Sequence, residues 1–293
     1  MDFTSTLSKI AADIDVVLDQ MIPADKWEIT PANVSRYAAL DAGKRLRSFL
    51  TVTVGGLFDV PYDSALRAGA CVELIHNWSL IHDDLPCIDN DALRRGRPSA
   101  WVYGGEANAV LAGDFLLNQA YNILATDIEI SKDPAARLEL VKALSDSVRG
   151  MILGEWMDIM AESGMFKTAP EIAEIQSLKT GCLFNACTEF GAILGGADAL
   201  QRAALKKFTD AMGLCFQITD DILDVVGDVE KVGKALRKDA GAGKATFVSL
   251  LGLDGARAKA MDLAREATDA LSIFDHRADN LRELMRYMIS RES

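Results

Sequence analysis

Two apolar helical runs in this chain each end in a cluster of aspartates, and that pairing constrains the fold more than any other feature. The first reads LIHNWSLIHDDLPCIDNDALRRGR over residues 74–97, and the second reads FQITDDILD over 216–224. Pro86 stops the first helix, because its ring clashes with the carbonyl of His82 and it has no N–H to donate. The break lets Asp89 turn back toward Asp83 and Asp84, and His76 lies two turns before Asp83 on nearly the same face. In the second run Gln217, Asp220 or Asp221, Asp224 and Asp228 fall on one polar stripe of a helix. Carboxylates crowded in this way repel and destabilise a helix. Bound Mg²⁺ removes that penalty, since magnesium takes one or two carboxylates together with waters and phosphate oxygens. One such helix end reads as a solvated acidic terminus. Two of them, each closing an otherwise greasy helix, read as a metal site.

Basic groups supply the complementary half. Gly43-Lys44-Arg45-Leu46-Arg47 leads into an apolar helix, where cations and unpaired backbone N–H groups face an anion together. Arg94 and Arg95 offer planar forks for bidentate phosphate contacts. Lys179, Lys234 and Lys244 are further candidates, each a point charge for phosphate. Any one of these alone reads as a solvated surface cation. Against a net charge of −12 they act together only if the fold gathers them.

That net charge argues against nucleic acid or an anionic membrane as the main partner. Apolar residues at 49% and charged residues at 25% describe a folded chain, and the few prolines leave helix formers in most windows. The text lacks sustained period-two alternation, low-complexity tracts and any linker long enough to separate domains, which predicts one all-α domain over residues 1–293 with ten or more helices. Helices are expected over 3–21, after Pro31, over about 46–57, and over a long run carrying His76 to Asp84 capped by Asp63 or Ser64. Further helices are expected over 106–125, from Pro134, over 138–160 with interruptions at Gly150 and Gly154, and from Pro170. Apolar text over 172–194 and helices over 199–226, 245–270 and 278–290 complete the chain, with a polar loop over 227–244. The five cysteines form no CxxC pair and read as reduced, mostly buried thiols. With no secretory signal and no run long enough to span a membrane, a cytoplasmic protein is expected.

DDLPCIDNDALRRGRP resembles the first aspartate-rich motif of the trans-isoprenyl diphosphate synthases, and DDILDVVGDVEKVGK resembles their second. GKRLR, VELIHNWSLIHDD, GEANAVLAGD and KTG follow in the family's order and spacing, and the match covers roughly residues 40 to 255. The resemblance implies an all-α bundle around a deep central cavity, usually a homodimer. It implies condensation of isopentenyl diphosphate with an allylic diphosphate through three Mg²⁺ ions, for which Mn²⁺ can substitute. Asp83, Asp89, Asp220 and Asp224 would hold the metals, with Asp84 and Asp221 in support. Arg94, Lys179, Gln217 and Lys234 would line the allylic diphosphate, and Lys44, Arg47, His76 and Arg95 the isopentenyl diphosphate. Metal neutralisation lets the allylic C–O bond ionise. Thr180, the carbonyl dipoles near Lys179 and the side-chain oxygen of Gln217 would stabilise the cation. Lys244 would belong to a loop closing over the site.

By the same resemblance, residues just before Asp83 set product length, because a helix rises about 5.4 Å per turn, close to one isoprene unit. Ser79 lies one turn deeper on the face of Asp83, and the bulk of Trp78 argues for a fifteen-carbon product, with ten or twenty carbons as alternatives. Two departures stand out: Glu155 where the family usually has Gln, and Lys244-Ala-Thr-Phe-Val where Lys-x-Thr-Tyr-Pro is usual. A class I terpene cyclase would not need Lys44, Arg47 and His76. A non-catalytic partner subunit usually lacks one aspartate cluster, and both are intact here.

Overall fold

The structure is a computed structural model, and it describes residues 2–40, 43–226 and 246–290. Among these it is almost wholly helical. The helices are α1 (Phe3–Met21), α2 (Pro31–Ala39), α3 (Leu46–Leu57), α4 (Tyr62–Asp83), α5 (Ala100–Gly104), α6 (Glu106–Thr126) and α7 (Pro134–Glu162). They continue with α8 (Ala169–Gln176), α9 (Cys182–Leu194), α10 (Ala199–Val226), α11 (Phe247–Ala270) and α12 (Asp279–Ser290). The one sheet among the described residues is a two-stranded antiparallel ladder, β1 (Leu93–Arg94) with β2 (Arg97–Pro98), turned at Arg95 and Gly96. Two-residue strands are too short to leave an alternating pattern in sequence. Among the described residues no helix is long and apolar enough to cross a membrane.

The chain forms two compact units: residues 1–144 with 190–196, and residues 145–189 with 197–293. In the first, α4 is the central helix, buried along almost its whole length from Ser64 to Ile81. Its start differs from the expected cap: Pro61 precedes Tyr62 with no side-chain cap, and Ser64 instead donates to the carbonyl of Ile130. Proline is suited to that end, where its missing N–H has no partner to lose. α3 lies close against α4 because Gly69 has no Cβ; one there would stand 3.3 Å from Ser48 Cα. Gly191 is tighter still, since its Cβ would be 2.6 Å from the backbone nitrogen of Gly55.

In the second unit, α10 and α11 lie side by side, with Cys215 Sγ 3.4 Å from the carbonyl of Ala260. Phe184 of α9 meets Phe216 of α10 edge to face at 5.3 Å. The glycines expected to interrupt α7 do not. Gly150 and Gly154 stay helical, and a Cβ on them would strike Cys182 Sγ at 2.5 Å and Lys179 N at 2.2 Å. They are there for close approach, which outweighs their poor helix propensity. The apolar text over 172–194 is likewise not one regular helix: a π-turn over Ser177–Gly181 joins α8 to α9. All five cysteines are free, with Cys71, Cys187 and Cys215 buried and Cys87 exposed.

Candidate active site

In the first unit the chain folds back as Pro86 requires. α4 ends at Asp83, and the Asp89 N–H then donates to the Asp83 carbonyl at 2.9 Å. Asp91 N–H does the same to the Asp84 carbonyl at 3.1 Å. The turn closes on Asn90, held at φ 51°, a left-handed conformation that asparagine tolerates. Asp83 is thereby partly exposed and Asp89 exposed, close along the backbone. Asp84 is different. It is only 2% exposed and receives the fork of Arg94, whose Nε lies 3.1 Å from both carboxylate oxygens. Burial still raises the Asp84 carboxyl above the ordinary range, against the pull of Arg94. Arg94, expected at the allylic diphosphate, thus places its fork on the buried Asp84.

The cations just before α3 are set by backbone geometry. Gly43 has φ 81°, and the Arg95 guanidinium lies over it, 3.3 Å from where a Cβ would be. Arg45 takes a left-handed φ of 52° at the start of α3 and is buried at 3% exposure. Its guanidinium reaches Asp15 through Nε at 3.0 Å and Glu73 at 3.3 Å, so it anchors the loop and leaves Lys44 exposed. Glu73 also accepts from Ser48 N–H at 3.3 Å and Ser48 Oγ at 3.2 Å. On the next turn Arg47 Nη1 lies 3.2 Å from His76 Nε2. Burial, with Arg47 and Arg95 close by, holds His76 well below its usual range, so the imidazole is neutral at pH 7 and accepts from Arg47. Arg95 is itself brought down to about 10 by burial and the charges of Arg45, Arg94 and Arg47, and it stays cationic. Among the described residues no carboxylate pairs with Arg95. A neutral histidine among arginines, with an exposed lysine beside them, is a positively charged corner that suits a multiply charged anion.

The second cluster repeats this construction. Asp220 and Asp224 are partly exposed, whereas Asp221 is buried at 5%. One Asp221 oxygen accepts from Gln217 Nε2 at 3.0 Å and the other from the Phe247 N–H at 2.9 Å, the first residue of α11. Asp221 thus adds a carboxylate to a helix start already capped by Thr246. In the same unit, Lys179 sits in the π-turn with its Nζ 2.7 Å from both Glu155 and Asp158, three residues apart on α7. Thr180 follows it, partly buried. A π-turn in an otherwise helical run often marks a functional site. Lys234, Lys244 and Asp228 lie outside the described residues.

The sequence reading missed Asp158 and Glu73 and counted Arg45 among the anion-facing cations, whereas all three are buried and charged. Asp158 had a signal, the i, i+3 spacing with Glu155 on a helix. For Arg45 and Glu73 the pairing is long-range and leaves none. Among the described residues no three acidic, histidine or cysteine side chains stand close enough to hold a metal by themselves. The donor set nonetheless fits a hard divalent ion: aspartate oxygens at helix ends, partly exposed, each beside a buried aspartate already fixed by hydrogen bonds.

The chain is similar to known proteins along nearly its whole length. The chain is 40% identical to farnesyl diphosphate synthase of Escherichia coli over 276 residues, 92% of each protein. It is 39% identical to the chloroplastic geranylgeranyl pyrophosphate synthase of Catharanthus roseus, over 88% of this chain and 73% of that one. The crystal structure of an FPP/GFPP synthase from Zymomonas mobilis superposes with a TM-score of 0.89 at 40% identity, covering 98% of this chain and 99% of the other. Residues 30–285 match the polyprenyl synthetase family, and the chain belongs to it.

Proposed function

We propose that this protein is a magnesium-dependent prenyltransferase that adds isopentenyl diphosphate head to tail, once to a ten-carbon or twice to a five-carbon allylic diphosphate, releasing one diphosphate per addition and yielding farnesyl diphosphate. The observation that carries the reading is the matched construction of the two aspartate clusters, one buried and hydrogen-bonded aspartate beside partly exposed ones. Asp83 and Asp89 in the first cluster, and Asp220 and Asp224 in the second, are the proposed metal ligands. Asp84 and Asp221 support them from behind, through Arg94 and through Gln217 and Phe247. Magnesium, when bound, supplies the positive charge that lets the allylic C–O bond ionise.

The remaining work falls to the chain. Lys44, Arg47, neutral His76 and Arg95 bind the isopentenyl diphosphate, whose double bond attacks the allylic cation. Thr180 and the π-turn carbonyls offer fixed dipoles to that cation, and Glu155 and Asp158 fix the turn through Lys179. The diphosphate just released is the base for the final proton. Trp78, 7% exposed, limits the product to fifteen carbons, with Ser79 one turn behind Asp83. Exposed apolar residues, Val110 and Leu111 on α6 and Ile152, Leu153 and Trp156 on α7, support a homodimer. Free, mostly buried thiols support a cytoplasmic location, and the family match over residues 30–285 supports one catalytic domain over the whole chain.

Asp83→Ala and Asp224→Ala test the metal assignment. Each is expected to lower kcat at least about 100-fold, the scale of removing one group aimed at developing charge. Activity untouched in both would overturn the assignment.

A further inference from the structure

Trp78 does not hold its position alone. His82 follows it by one turn of α4, and the two rings meet edge to face at 5.9 Å and 68°. His82 is itself seated in a notch on α6. A Cβ built on Gly113 would lie 2.0 Å from His82 Nε2, 2.4 Å from Cδ2 and 2.8 Å from Cε1, so the imidazole occupies the space that any other residue would claim. Nε2 also lies 3.1 Å from the carbonyl of Val110, which fixes that nitrogen as the protonated one and the donor. The ring is therefore held by a hydrogen bond along one edge and by the notch beneath it.

We propose that His82 and Gly113 are specificity-determining residues: the imidazole, pinned in the Gly113 notch and to Val110, fixes the Trp78 indole and so fixes how long a prenyl chain the enzyme makes. The inference rests on the proposed function and on Trp78 as the stop. Physically it follows from close packing, since a side chain wedged between two fixed neighbours transmits a displacement of either. A methyl group at 113 expels the imidazole from the notch, and the indole loses its edge contact. Removing the imidazole does the same from the other side.

The test is product length from isopentenyl and geranyl diphosphates at matched conversion, for the full-length enzyme and the variants Trp78→Ala, His82→Ala, Gly113→Ala and His82→Ala/Gly113→Ala. Trp78→Ala is expected to move the product beyond fifteen carbons. His82→Ala and Gly113→Ala should shift it the same way, changing the ratio of C20 to C15 by about tenfold, the lower end of what one missing contact gives in an apolar pocket. The double variant should match His82→Ala, because with no ring to expel the added methyl is harmless. His82→Gln loses the ring but keeps a donor for Val110 and fills part of the notch, so it should shift the ratio less than His82→Ala, a graded outcome that a loss of fold would not give. If Trp78→Ala lengthens the product while His82→Ala and Gly113→Ala leave the ratio unchanged, this inference fails and the proposed function stands. If Trp78→Ala changes nothing, the stop and the inference fail together, and absence of turnover in the wild type overturns the proposed function itself.

Discussion

Gly154→Ala puts the account under direct mechanical strain. A Cβ at this position would stand 2.2 Å from Lys179 N, and 2.7 Å from both Leu178 C and Lys179 Cα, where ordinary contact begins at 3.4 Å. All three atoms are backbone, so no side-chain rotation relieves the clash, and α7 must part from the π-turn by roughly 1 Å. Overpacking of this kind costs about 1–3 kcal/mol, which for a chain of this size lowers Tm by roughly 2–10 °C. The larger effect is on chemistry. Lys179 and Thr180 lie in the turn that moves, while Glu155 and Asp158 stay on the helix. A misplacement near 1 Å at groups that meet the reacting centre costs about 100-fold in rate. Steady-state kinetics of the folded variant, with thermal unfolding alongside, measure both. Gly150→Ala is the control, since its Cβ meets the Cys182 sulfur, a side-chain tip; its kcat should stay within about tenfold of wild type. A Gly154→Ala enzyme with lowered Tm and full kcat would refute the idea that the turn's position matters to the reaction. Unchanged Tm would refute the close contact itself.

His76 gives a pH signature. Its pKa is depressed in the fold, so below about pH 6.5 the unfolded chain takes up a proton that the native state refuses, and stability falls by up to about 1.4 kcal/mol per pH unit. Denaturant titrations of His76→Asn should show a flatter profile between pH 6.5 and 5, and equal slopes would contradict the buried neutral imidazole. Arg94→Ala strands the Asp84 carboxylate in the interior and should cost about 2–4 kcal/mol at neutral pH. Because burial raises the Asp84 pKa, that deficit should shrink as the pH drops and the carboxyl is protonated; a deficit that grows would be inconsistent. Glu155→Gln leaves Lys179 one carboxylate instead of two, a partly exposed contact worth about 1 kcal/mol. The freed charge should lower KM for the allylic diphosphate about fivefold with kcat little changed, and a raised KM would count against Lys179 as a diphosphate ligand.

Sequence alone located most helices because their ends carry chemical punctuation. Pro31 and Pro134 open α2 and α7 as first helical residues, and the ends of α3 and α10 are as expected at Leu57 and Val226. Both aspartate clusters were legible because carboxylates closing a greasy helix need an explanation from chemistry. Which aspartate faces inward was not legible. Asp220 and Asp221 are neighbours in an identical local text, and only the arrival of Phe247 N–H from α11 distinguishes them. Gly150 and Gly154 were misread as breaks because glycine signals both weak helix and close approach, and only the packed neighbour decides between the two. The π-turn has no residue code at all, and Arg45 with Glu73 shows that a basic motif can hold a buried structural arginine beside an exposed lysine.

The central claim is head-to-tail elongation that stops at fifteen carbons, and product analysis tests it most directly. Purified protein is incubated with Mg²⁺, isopentenyl diphosphate and, separately, C5, C10 and C15 allylic diphosphates. The account predicts a C15 product from the C5 and C10 starters, none without Mg²⁺, and C15 left unextended. Products of twenty carbons or more would keep the reaction and contradict Trp78 as its limit, and no elongation from any starter would contradict the account as a whole.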